Sequence, residues 1–188
     1  LRSDHLFASS FAEFEAARKE FAHSSEGNNA LNHLSATISS LSQEPSLASR
    51  CAHLRRSIEG CELFKNLQDS DDVKAAKEIL AGLDQVNAVV QQGLLTLDLG
   101  ELADAIRVCH LANIECSELT KAVTFHGVLD KVRDALERKH VADTRTILRA
   151  SRDVDCDRAP LVDQAHVFLE DTNLLVVSID GILQAVGS

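Results

Sequence analysis

The sequence predicts an all-α fold of about nine helices, arranged as antiparallel helical hairpins in a bundle or short α-solenoid. Three observations predict it. Ala, Leu, Glu, Lys, Gln and Arg, all good helix formers, are common. Proline occurs only twice, at Pro45 and Pro160. No stretch alternates β-branched or aromatic residues with polar ones, as half-buried strands would. The 188 residues suit a single helical domain, or an N-terminal helical part over 1–68 followed by a helical-hairpin array over 69–188. With 45% hydrophobic and 26% charged residues, the chain can bury a core without a disulfide or metal.

The first helix is expected over about 4–24, where Phe7, Phe11, Phe14 and Phe21 recur on one face. Gly27, Asn28 and Asn29 are expected to stop it and cap a second helix over about 29–43, with Leu31, Leu34, Ile38 and Leu41 inward. Pro45 suits the opening of a third, about 46–67, whose stripe is Leu47, Cys51, Leu54, Ile58, Cys61 and Leu67. Ser70, Asp71 and Asp72 cap a fourth, about 72–96, with acidic residues at the positive end of the helix dipole. Gly93 is expected to end or loosen it. A fifth follows over about 100–112. Ser117 caps a sixth over about 118–137, and a seventh covers about 140–151. Asp157 and Pro160 open an eighth, about 159–170, and Asn173 caps a ninth, about 173–186. Starts near 30, 73, 117 and 160 recur about every 43 residues, the size of a two-helix repeat. The match to tetratricopeptide or HEAT units is one of size only, and tetratricopeptide and ankyrin signatures are absent.

The net charge of −10 argues against nucleic acid, which needs clustered Lys and Arg, and against an anionic membrane surface. No apolar run reaches the roughly 18 residues of a membrane span. Five cysteines, none in a C-x-x-C pair, point to reduced thiols and an intracellular place, cytoplasmic or organellar. The first residue, Leu1, is not Met, which suggests a processed precursor or a piece of a longer chain.

Motifs for chemistry fail when tested. Asp153-Val154-Asp155-Cys156-Asp157 begins like a calcium loop, but Arg158 and Gln164 occupy the required Gly and Glu positions. An acidic loop before the next helix is the better reading. Cys109, His110 and Cys116, or Cys51 and His53, lack the paired spacing of a zinc site. There is no G-x-S-x-G elbow, and the glycines are scattered singly. The expectation is therefore a non-enzyme with no cofactor and no metal.

Two features speak of partners. Arg145, Arg149 and Arg152 recur on one helical face and would make a basic edge, unless Asp143, Asp153 or Asp155 pair with them. The last helix is apolar almost all round, through Leu174, Leu175, Val176, Val177, Ile179, Ile182, Leu183 and Val186, and needs cover within the chain or from another subunit. The expected function is a non-catalytic scaffold or adaptor subunit binding other protein subunits. Its candidate contacts are Arg145, Arg149, Arg152, Phe7, Phe11, Phe14, Ile179, Ile182 and Leu183. A ligand- or pigment-carrying bundle is the first alternative, and a small enzyme with a dispersed acid–base site the second.

Overall fold

The computed structural model describes residues 24–186, with side chains described as far as Asp180 and again at Ile182 and Gln184. The expected first helix, with Phe7, Phe11, Phe14 and Phe21, lies outside the described residues, as do the side chains of Leu183 and Val186. Every regular element among the described residues is helical. Helix α1 covers 24–40 and closes in a single 3-10 turn, Leu41–Gln43. It is followed by α2 (Leu47–Glu62), α3 (Asp71–Thr96), α4 (Leu99–Leu111), α5 (Ser117–Glu137), α6 (Val141–Asp153) and α7 (Pro160–Val186). The chain forms two compact units, Leu1–Asp84 and Gln85–Ser188, and α3 belongs partly to each.

In the first unit, α1, α2 and the start of α3 enclose Leu34, Leu54, Ile58, Cys61, Leu67, Val73 and Ala76. Gly27 does not stop a helix. It is buried inside α1, where a Cβ would lie 3.5 Å from the Leu67 side chain, so its role is close packing. Helix α2 ends at Glu62 rather than near 67. Consecutive tight turns (Phe64 N–H to Cys61 O, 3.1 Å; Leu67 N–H to Phe64 O, 2.9 Å) carry Leu67 back into the core. Helix α3 starts where Ser70 Oγ accepts from the Val73 N–H at 3.3 Å.

In the second unit, Leu97, Leu102, Ala122, Leu129, Val132, Leu148, Cys156, Ala159, Val162 and Ala165 form the core. Four helices here end in a left-handed residue that is not glycine: Leu97 (φ 53°), Asn113 (φ 52°), Lys139 (φ 53°) and Asp155 (φ 60°). After the last three, the next N–H reaches back to the carbonyl five residues earlier. Ile114 bonds Cys109 O at 2.9 Å, His140 bonds Ala135 O at 3.1 Å, and Cys156 bonds Ser151 O at 2.9 Å. After Leu97 and Lys139 the following residue caps the next helix at once. Asp98 accepts from the Gly100 and Glu101 N–H groups at 2.8 and 3.1 Å, and His140 Nδ1 from the Asp143 N–H at 3.3 Å. Leu97 and Lys139 stand 42 residues apart, as do Asn113 and Asp155, and as do the first residues of α4 and α6.

Gly93 neither ends nor loosens α3. A Cβ there would lie 2.9 Å from the Glu101 carbonyl oxygen, so glycine is what lets the backbones of α3 and α4 approach. The expected eighth and ninth helices are one, the continuous α7. Asn173 is therefore not a cap. The neighbouring Thr172 hydroxyl donates to the Phe168 carbonyl at 2.8 Å, which satisfies that polar side chain without breaking the helix.

Candidate functional site

The first half of α7 buries Val162 and Ala165 in the core, with Leu161, Phe168 and Leu169 partly buried. The second half has no such cover. Leu174 is 66% exposed and Val177 69%, and Leu175, Val176, Ile179 and Ile182 are all more than half exposed. Of the two covers expected for this segment, the chain itself or another subunit, the described residues of the chain do not supply the first. The reason is length. Helix α6 has 13 residues, and near its start Arg145 donates to Asn173 Oδ1 at 3.1 Å. Beyond Asn173 only the four residues of α6 that precede Arg145 remain to flank α7, so the greater part of its last 13 residues extends past its neighbour. Six large aliphatic side chains exposed in so short a stretch go beyond the scattered surface leucines of an ordinary chain.

Arg145, Arg149 and Arg152 are all exposed on α6. Among the described residues none makes an ion pair, and Arg149 and Arg152 make no hydrogen bond through their side chains. Asp143, beside His140, pairs with none of the three. The other arginines tied to carboxylates show the contrast. Arg55 grips Asp84 with one nitrogen at 2.8 and 3.0 Å, Arg107 holds Asp104, and Arg133 bonds Asp130. The Arg145–Asn173 hydrogen bond joins the basic edge to the start of the apolar segment. Asn173, Asp180 and Gln184 share one narrow polar line along α7, and Arg145 meets that line at its first residue. Sequence reading named the arginines and Ile179 and Ile182 separately. It missed Asn173, whose partner lies 28 residues away and leaves no local pattern.

Other clusters are tied into the fold. Ser57 Oγ lies 3.1 Å from His33 Nδ1 and 2.8 Å from Thr37 Oγ1, a hydroxyl–imidazole group linking α1 to α2 with Ser57 only 6% exposed. Among the described residues no carboxylate bonds His33, so the group has no third member to orient the ring. Burial pushes the Cys51 thiol up to about 11, helped by its hydrogen bond to Asp84. Burial also raises the Cys61 and Cys156 thiols. All five cysteines are buried. A thiol kept protonated is a poor nucleophile and a poor metal ligand. Among the described residues no three His, Cys, Asp or Glu side chains gather as a metal centre requires, the Asp153–Asp157 loop included. No described helix is long and apolar enough to cross a membrane.

The chain matches no protein-family model, no curated protein and no solved structure. Its function must therefore be argued from its own surface and chemistry.

Proposed function

We propose that this protein is a non-catalytic scaffold or adaptor subunit that binds another protein through the outer half of α7 and the adjoining arginine edge of α6. The Arg145–Asn173 hydrogen bond carries the reading, because it makes one surface of two features that would each be weak alone. Exposed aliphatic side chains supply the apolar centre of an interface, and unpaired arginines supply a polar rim with forked donors for carboxylates. The complementary partner is a protein helix or groove, apolar along its contact line and acidic along one flank. Its charge would be attracted to the arginines while the rest of this acidic chain repels it, which orients the encounter.

The 42-residue spacing of the turns and of α4 and α6 supports a helical-hairpin repeat, an architecture that presents extended protein-binding faces. Leu102 and Thr144, and Cys109 and Ser151, are equivalent at that spacing, and all four are buried.

Photo-crosslinkers placed at Leu175 and Ile182 of the native chain test the proposal. Crosslinks to one stoichiometric protein are expected, and both Val177→Asp and the triple change of Arg145, Arg149 and Arg152 to Glu should remove them. Circular dichroism should be unchanged in both variants, because exposed charges contribute only about 0–1 kcal/mol each to folding. A native complex that forms equally well with both variants would refute the surface.

A further inference from the structure

A second feature of the Gln85–Ser188 unit does not belong to the partner surface. A cleft of about 460 Å³ opens between the end of α3, the second turn of α5 and the loop joining α6 to α7. That volume falls within the range typical of small-molecule sites, about 300–1,000 Å³. Leu94, Phe125 and Val154 form its apolar floor, and each is partly buried against the core, so the floor is held in place. Lys121 and Arg158 stand at its walls with one carboxylate, Asp155.

These three charges are not used on one another. Among the described residues neither Lys121 nor Arg158 makes an ion pair or a side-chain hydrogen bond, and Asp155 pairs with no cation. Arg158 is also held by its neighbours in sequence. Cys156, two residues before it, and Ala159, next after it, are fully buried, which fixes the loop while Arg158 remains exposed. Among the residues that line the cleft two cations face one carboxylate beside the apolar floor, and the other two carboxylates of the loop, Asp153 and Asp157, lie outside the lining.

We propose that this cleft binds a small organic monoanion: a carboxylate carried on an aromatic or branched apolar body. Arg158 presents paired donors that match the two oxygens of a carboxylate, and Lys121 adds a point charge. The apolar body lies on Phe125 and Leu94. Asp155 disfavours a dianion such as a phosphate monoester, because it would face the second negative charge at close range. This site is independent of the α7 surface, and either can fail without the other.

Titration with 2-naphthoate, a fluorescent aromatic carboxylate, tests the proposal, with 2-naphthamide as the neutral control and 2-naphthyl phosphate as the dianion. Saturable binding of 2-naphthoate is expected. Lys121→Gln and Arg158→Gln should each weaken it about tenfold, the loss of one charge-assisted hydrogen bond. The amide should bind about tenfold more weakly than the acid, and Phe125→Leu should weaken both. Both charge variants alter exposed residues, and unchanged circular dichroism and melting temperature confirm that they fold. The proposal is overturned if 2-naphthoate shows no saturable binding up to millimolar concentration, or if the amide binds as well as the acid. It is also overturned if the two charge variants bind like the parent chain, or if Val177→Asp abolishes binding, which would place the probe on α7. Tighter binding of the naphthyl phosphate than of the naphthoate would overturn the monoanion assignment.

Discussion

At Lys139 the chain adopts φ 53° with an exposed side chain that makes no ion pair with a described residue. A left-handed non-glycine residue costs roughly 1–2 kcal/mol, and glycine avoids the clash. Lys139→Gly should therefore stabilise the protein by about 1 kcal/mol and raise the melting temperature by about 2–4 °C. Asn113→Gly should gain less, since Asn tolerates this conformation. A scan showing Lys139→Gly to be destabilising would contradict the assigned turn. Leu97 has the same backbone but is buried in the core, so glycine there should destabilise through lost packing. Gly93 gives the opposite case. A Cβ 2.9 Å from the Glu101 carbonyl forces α3 and α4 apart, and Gly93→Ala should cost about 1–3 kcal/mol in urea unfolding. The Cys51 thiol yields a pH dependence. Its pKa is raised by folding, so its contribution to stability is complete below about pH 9 and is lost as pH rises through about 11. Stability measured across that window should fall more steeply for the parent chain than for Cys51→Ala.

Helices α3 to α6 begin within a residue of the expected positions, and α3 carries the expected Ser70 cap, but α5 is capped by Cys116 rather than Ser117, and the caps Asp98 of α4 and His140 of α6 are residues that sequence reading does not single out. Their ends were harder to read. Glycine is the usual sign of a helix end, yet no described glycine has positive φ, and the left-handed positions fall on Leu, Asn, Lys and Asp. Gly27 and Gly93 sit inside helices because other elements approach them closely, a tertiary fact with no local pattern. The break expected at Asn173 failed for a related reason: its side chain is engaged by Arg145 rather than by its own backbone. The apolar run beyond it was visible, but its exposure depends on how far α6 reaches. Amides beyond residue 173 have helical hydrogen bonds but no described core contacts, so they should exchange with solvent much faster than those of α5. Slow exchange at Val177 and Ile179 in the isolated chain would mean that the segment is covered.

Across the whole chain, two cores lie in two units. Leu54 is fully buried in one and Leu129 in the other. Truncating either to alanine should cost about 2–5 kcal/mol. Hydrogen exchange should show protection falling first among the neighbours of the altered residue, so that Leu54→Ala loosens α1 and α2 while Leu129→Ala loosens α5 and α6. Uniform loss of protection in both variants would show that the cores unfold as one. Finally, α7 is a single rod from Pro160 to Val186, with no proline after its first residue and with core contacts along its first half only. Rotation of one end is therefore transmitted to the other. Each residue of an α-helix turns it by about 100°, so two alanines inserted between Asn173 and Leu174 would swing the outer segment by about 200° while lengthening it by only about 3 Å. Every contact residue would still be present, yet the polar line through Asp180 and Gln184 would be out of phase with Arg145. A partner that reads both would be lost to this insertion, and an insertion of seven residues, close to two full turns, would restore the phase at a distance of about 10 Å.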